Sequence, residues 1–207
     1  EEFCWDDDER VRAEKWGPLA GELATAIHEV LGHGSGRVAD RLEGQPQRYL
    51  RETYSTIEET RADLVALYVL GDPYLAEVGV VPADDQPAIV QAEYEAYARN
   101  VVYQLRRVRS GDTLEEDHMR NRQLIIHWLL EHTDAIEIRR RDGRTYYVVV
   151  SVEAFRAGCA RLLADVQAIK AEGDYQAARR LVETYGTRFD PALRDEVVAR
   201  AARHNLP

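Results

Sequence analysis

The stretch that most constrains this chain is His28-Glu29-Val30-Leu31-Gly32-His33. Two imidazoles flank it, and a carboxylate directly follows the first. Imidazole nitrogen binds zinc well, and a zinc site with three protein ligands keeps one position open for water. A nearby carboxylate can then take that water's proton. The spacing limits the backbone. Helix residues four apart share a face, whereas residues five apart stand about 140° apart at about 100° per residue. In a regular α-helix His28 and His33 would not meet. A local i→i+5 widening returns them to one face, and such turns often mark functional sites. Gly32 tolerates the distortion. The spacing therefore predicts a widened or ending turn between Val30 and His33.

A mononuclear site needs a third ligand, and the run Ser55-Thr56-Ile57-Glu58-Glu59-Thr60-Arg61-Ala62-Asp63 offers carboxylates. It opens the apolar segment Leu64-Val65-Ala66-Leu67-Tyr68-Val69-Leu70. Ser55 or Thr56 reads as the N-cap, which puts Glu58 and Glu59 in a first turn that favours negative charge. Glu59 and Asp63 are four apart and share a face. One carboxylate can bind metal while the others accept hydrogen bonds from the histidine rings.

In these two motifs the chain resembles the dipeptidyl peptidase III family of zinc metallopeptidases. That family carries H-E-x-x-G-H, and a second motif reading Glu-Glu-x-Arg-Ala-Glu/Asp. Here they are His28–His33 and Glu58–Asp63. The resemblance implies that His28, His33 and Glu59 bind one Zn2+ and that Glu29 is the general base. Glu58 and Asp63 would support the ligands. Asp63 stands where many members carry Glu. The stretch His118-Met119-Arg120-Asn121-Arg122-Gln123 also resembles the family. It implies that His118 steadies the reacting carbonyl, as an oxyanion donor does, and that Arg122, four residues on, holds substrate.

The resemblance further implies removal of dipeptides from the amino ends of short peptides. It implies a two-lobed enzyme, of which residues 1–207 are the helical catalytic lobe with a C-terminal helical tail from about 151. The N-terminal lobe, with most groups that grip the peptide's amino end, would be missing, so the piece would turn over poorly by itself. Some bacterial relatives carry a fused Nudix domain. The competing reading is a helical interaction module with a structural or vestigial zinc site. A structural site fills all four positions with protein ligands, and only three are evident here.

The rest of the sequence predicts a mainly α fold. Gly17-Pro18 reads as a break before a helix over 19–33, with Leu19, Leu23, Ile27 and Leu31 along its apolar stripe. Residues 37–53 read as a polar connection bordering the site. Helices are expected over 88–109, 114–132, 152–171 and 175–185, with a last one from Asp190 or Pro191. Residues 135–150 switch to strand periodicity around Asp142-Gly143, a β-hairpin with a type I′ turn. His127 and His132 lack a neighbouring Glu and a partner motif, and read as structural.

Composition sets the outer bounds. Hydrophobic residues make up 45% and charged ones 31%, as in an ordinary globular chain. A net charge of -10 argues against nucleic acid or an anionic membrane as partner. No apolar run reaches the roughly 18 residues of a membrane span. Cys4 and Cys159 make no disulfide framework, which fits a cytoplasmic location. The start Glu-Glu-Phe-Cys-Trp is not a signal peptide and lacks Met, so the chain reads as a processed product or excised piece.

Overall fold

The computed structural model describes residues 2–204. It is a bundle of α-helices with one antiparallel hairpin. Among the described residues no helix is long and apolar enough to cross a membrane.

The first helix, α1, spans Asp7–Ile27. Asp6 caps it, its side chain accepting from the Glu9 N–H at 2.8 Å, and three acids occupy the first turn. The helix runs straight through Gly17-Pro18, where a break was expected. Its N-terminal half is held to a later helix by Arg12, which forks onto Glu95 at 2.7 and 3.1 Å, and by Glu9 with Arg99. Those anchors hold the helix before the proline and buried Ala20, Ala24 and Ile27 seat it after, while the proline itself costs one backbone hydrogen bond. The apolar stripe is also corrected. Ala20, Ala24 and Ile27 are buried, while Leu19 and Leu31 are exposed. Small side chains face inward and let neighbouring helices come close.

A short connection follows. Rather than lacking structure, residues 37–53 form a 3-10 turn at Asp40–Leu42, helix α2 at Pro46–Leu50, and a second 3-10 turn at Arg51–Thr53. Leu42 and Leu50 bury fully. The connection runs along a later helix, with Ala39 N–H donating to Ala171 O at 2.8 Å.

Helix α3, Tyr54–Leu70, is the central element. Ile57, Leu64, Leu67 and Leu70 are buried, and it packs on α1 and on two later helices. It starts before Ser55 and Thr56, and neither caps it. The Thr56 hydroxyl donates instead to Asp117 at 2.5 Å. Glu58 and Glu59 consequently sit beyond the first turn.

After α4, Tyr74–Glu77, come α5, Gln86–Tyr103, and α6, Asp117–His132. The α6 start lies past the expected Leu114, where an antiparallel bridge between Thr113 and Arg188 keeps the chain extended and Leu114 N–H donates to Thr187 O at 2.8 Å. The hairpin joins β1, Ile136–Arg141, to β2, Arg144–Val149. Asp142 (φ 52°) and Gly143 (φ 70°) are both left-handed, as a type I′ turn requires. Helices α7, Val152–Glu172, α8, Tyr175–Leu181, and α9, Pro191–Arg203, complete the bundle. Ser151, Asp174 and Asp190 cap them through their side chains. A second widened turn, Val182–Gly186, follows α8. His127 packs against Tyr147, with its pKa lowered by burial, and His132 Nε2 meets the Tyr185 hydroxyl at 2.9 Å.

Candidate metal centre

The helix bearing the histidines widens over His28–Gly32. His33 N–H reaches back five residues to His28 O at 3.0 Å. The two rings now lie edge to face with centroids 4.7 Å apart. Gly32 is buried against α3, and a Cβ there would come within 2.9 Å of the Ala62 Cα and Cβ. A larger residue would push the turn off the central helix.

Three carboxylates of α3 meet these rings, each differently. Asp63 Oδ1 lies 2.6 Å from His28 Nδ1. Its other oxygen accepts from the Tyr97 hydroxyl at 2.7 Å and the Asn121 amide at 2.6 Å. The Asp63 hydrogen bond, against the opposing effect of burial, raises the His28 pKa. Glu58 Oε1 lies 3.2 Å from His33 Nδ1. Burial alone would raise the Glu58 pKa, but Arg61 and Lys170 outweigh it and bring it down to about 2. The Arg61 guanidinium is 2.9 Å away and the Lys170 ammonium 2.6 Å. Arg61, fully buried, also donates to Gly32 O. With both Nδ1 atoms engaged on carboxylates, each ring presents Nε2 toward the third acid.

That acid is Glu59. Its Oε2 lies 3.4 Å from His28 Nε2, and its Oε1 3.9 Å from His33 Nε2. His118 Nδ1 stands 3.5 Å from the same Oε2. This oxygen is buried without a hydrogen-bond partner. A buried, unsatisfied carboxylate oxygen is costly, and a cation between it and the two imidazoles would satisfy it. The donor set, two imidazoles and one carboxylate, suits zinc. The potential ligand atoms of His28, Glu29 and His33 also lie within 4.8 Å of one another. Glu29 is solvent-exposed, however, so its carboxylate is already satisfied by water. Of the two acids, Glu59 is thus the one with an unpartnered buried oxygen facing both imidazoles, and Glu29 stands exposed at the edge of the cluster.

Glu29, His118 and Arg122 line one cavity of about 370 Å³ together with His28 and Asp63. The structure thus gathers all eight residues singled out in the sequence around one point. Tyr97, Asn121 and Lys170 were missed as site residues. Tyr97 reads as core, Asn121 sits unremarked inside the His118 stretch, and Lys170 reaches the site only through the packing of α7 on α3.

The sequence model of Peptidase family M49 matches residues 42–205. Mouse dipeptidyl peptidase 3 is 24% identical over 235 residues, which is 93% of this chain and 32% of that protein. Among solved structures, DPP III from Caldithrix abyssi superposes with a TM-score of 0.65 at 28% identity, covering 88% of this chain and 32% of that one. Dipeptidyl-peptidase III from Corallococcus sp. strain EGB gives a TM-score of 0.65 at 23% identity, over 89% and 31%, and shares the fold. The chain therefore spans about a third of the length of these relatives.

Proposed function

This chain belongs to peptidase family M49, and from that premise we propose that it hydrolyses peptide bonds at a zinc ion held by His28, His33 and Glu59. The observation that carries the reading is the buried, unpartnered Glu59 oxygen facing the imidazoles. Zinc there would supply Lewis acidity and a water of lowered pKa. Asp63 and Glu58 fix the two rings so that their Nε2 atoms stay free. Glu29, exposed at the cavity wall, takes the proton of the attacking water and returns it to the leaving amine. His118, half exposed beside Glu59, donates to the oxygen on which charge develops. Arg122 orients the peptide from the same wall.

The substrate reading is a short peptide that loses its amino-terminal dipeptide. The names of the mouse and bacterial relatives support it. It concerns the whole activity, whereas this chain carries the metal and proton-transfer groups.

Elemental analysis and assay of a dipeptidyl naphthylamide test the proposal together. The expected result is one zinc per chain in the wild type and in Glu29→Gln, and none in Glu59→Ala. Hydrolysis should fall by about 10²–10⁴-fold in Glu29→Gln. A wild type that takes up no zinc, or a Glu29→Gln variant that hydrolyses normally, overturns it.

A further inference from the structure

The carboxylates that hold the two imidazoles are not equally secured. Asp63 Oδ1 stands 2.6 Å from His28 Nδ1, and the His28 side chain is 13% exposed. Glu58 Oε1 stands 3.2 Å from His33 Nδ1, and the His33 side chain is 32% exposed. Water reaches the His33 ring more easily and competes with Glu58 for its N–H. What keeps Glu58 in place comes from the side away from the ring. Arg61 donates to it from the same helix, but that guanidinium also serves Gly32 O and Ser35 Oγ. The Lys170 ammonium lies 2.6 Å from Glu58 Oε2 and pairs with no other acid among the described residues. It arrives from α7, a helix that carries no candidate ligand. Leu162 and Val166 seat that helix in the core. Lys170 and Ala171 lie three and four residues after Gln167, so the three share a face. Gln167 Nε2 donates to Arg37 O at 2.9 Å, and Ala171 O accepts from Ala39 N–H at 2.8 Å. Gly36, with φ 88°, lets the loop pass, because a Cβ there would come 2.5 Å from Gln167 Oε1. One face of α7 thus holds both the segment that leaves His33 and the carboxylate that His33 meets.

We propose that Lys170 is a positioning residue of the metal centre, pinning the Glu58 carboxylate so that His33 keeps its Nδ1 proton on Glu58 and its Nε2 aimed at the metal position. The inference rests on the zinc reading and adds a residue from outside the two motifs. A carboxylate behind a metal-binding imidazole fixes the tautomer and the ring angle. It does so only while it is ionised and held still. A cation on its other oxygen secures both, since charge-assisted hydrogen bonds are short and strong. Asp63 is held on its far side by two neutral donors, Tyr97 and Asn121. If the Lys170–Glu58 pair did no more than dock α7 on α3, its loss would loosen both histidines alike. Loss of positioning touches His33 alone.

Lys170→Met keeps the buried stem and removes the charge. Proton–nitrogen NMR of the two imidazoles in the metal-free protein, together with chelator competition for zinc, tests the role. In Lys170→Met the His33 Nδ1–H signal should shift and exchange faster with water, while that of His28 stays at its wild-type position. Zinc affinity should fall by about tenfold, the low end for such outer partners because Arg61 remains. Glu58→Gln/Lys170→Met removes the pair together, which a fold tolerates better than a lone buried charge. Its zinc affinity should equal that of Glu58→Gln, since Lys170 acts through Glu58. That comparison decides the matter if Lys170→Met fails to fold. Both rings shifting together, neither shifting, an unchanged zinc affinity, or a further loss on adding Lys170→Met to Glu58→Gln overturns the positioning role. A His33 signal that depends on Lys170 in a wild type that takes up no zinc sinks the metal reading and leaves the hold on the ring standing.

Discussion

Asp63 shows how much of the proposed metal centre depends on a single side chain. It is one methylene shorter than the residue many family members carry, yet it reaches His28 Nδ1 at 2.6 Å. Tyr97 and Asn121 hold its other oxygen, so the carboxylate cannot rotate away. Asp63→Asn keeps the shape and removes the charge that makes His28 basic. Zinc affinity should fall by about 10–100-fold, as for other outer partners of metal-bound histidines. Competition with a chromophoric chelator measures it, and an unchanged affinity would show that Asp63 does not support the ligand. Glu93 gives a prediction of opposite sign. Burial raises its pKa from 4.5 to about 7, so the folded state holds a proton that the unfolded state has lost. Stability from this group is full below pH 4.5 and declines as pH rises through 7. Glu93→Gln should match the wild type at pH 4.5 and exceed it above pH 7 by up to about 3 kcal/mol in urea melts. Equal stability at both pH values would contradict the shift. The clustering of these side chains was legible in the sequence because His28, Glu29 and His33 lie within six residues and Glu58, Glu59 and Asp63 sit within about one and a half helical turns. Tyr97 and Asn121 lie 34 and 58 residues from Asp63, and no local pattern ties them to it.

Among the elements, the widened turn and α3 form one unit. Gly32 permits the contact, and Arg61 joins Gly32 O to Glu58. Gly32→Ala would place a methyl group 2.9 Å from the Ala62 backbone, which a helix cannot move aside locally. A cost of about 1–3 kcal/mol in stability is expected from such overpacking, with weaker zinc binding because both histidines ride on the turn. Wild-type values in urea melts and chelator competition would show that the turn is not seated by this contact. The turn was readable because five-residue spacing leaves a regular helix no other way to bring its rings together. Helix ends were less readable. Gly17-Pro18 carries a strong local signal for a break, but α1 is held before it by Arg12 and Glu9 and packed after it through Ala20, Ala24 and Ile27. Ser55 and Thr56 look like caps, yet the Thr56 hydroxyl is used by Asp117. In each case tertiary contacts outweigh a local preference, about 3 kcal/mol for the proline and about 1 kcal/mol for the cap, and sequence alone does not reveal which contacts exist.

At the scale of the molecule, the two chain ends are tied together away from the metal. Arg200 of α9 is buried, and it bonds Glu2 at 2.9 Å, Glu196 at 2.9 Å and the Thr145 carbonyl at 2.8 Å. Its guanidinium also lies over the Phe3 and Tyr146 rings, 4.1 and 4.7 Å from their centroids. One side chain thus closes the N-terminal segment, the hairpin and the last helix onto one another. The hairpin was the clearest strand signal in the sequence, but a two-stranded ribbon is marginal by itself, and this is part of what makes it stable. The isolated substitution Arg200→Met removes the buried positive charge between Glu2 and Glu196, leaving Glu2 with Arg144 and His204 and Glu196 with Thr145 alone. Breaking a buried ion pair in this way costs about 3–5 kcal/mol, so the thermal midpoint should drop and amide exchange in β2 and α9 should rise first. The proposed ligands lie on the widened turn, at its end and on α3, and none of them is among the hydrogen-bond partners of Arg200. Zinc affinity of the folded fraction should therefore stay at the wild-type value. If zinc binding fell in step with hairpin protection, the bundle would be one cooperative unit, and the metal centre would depend on the closure of the chain ends as much as on its own carboxylates.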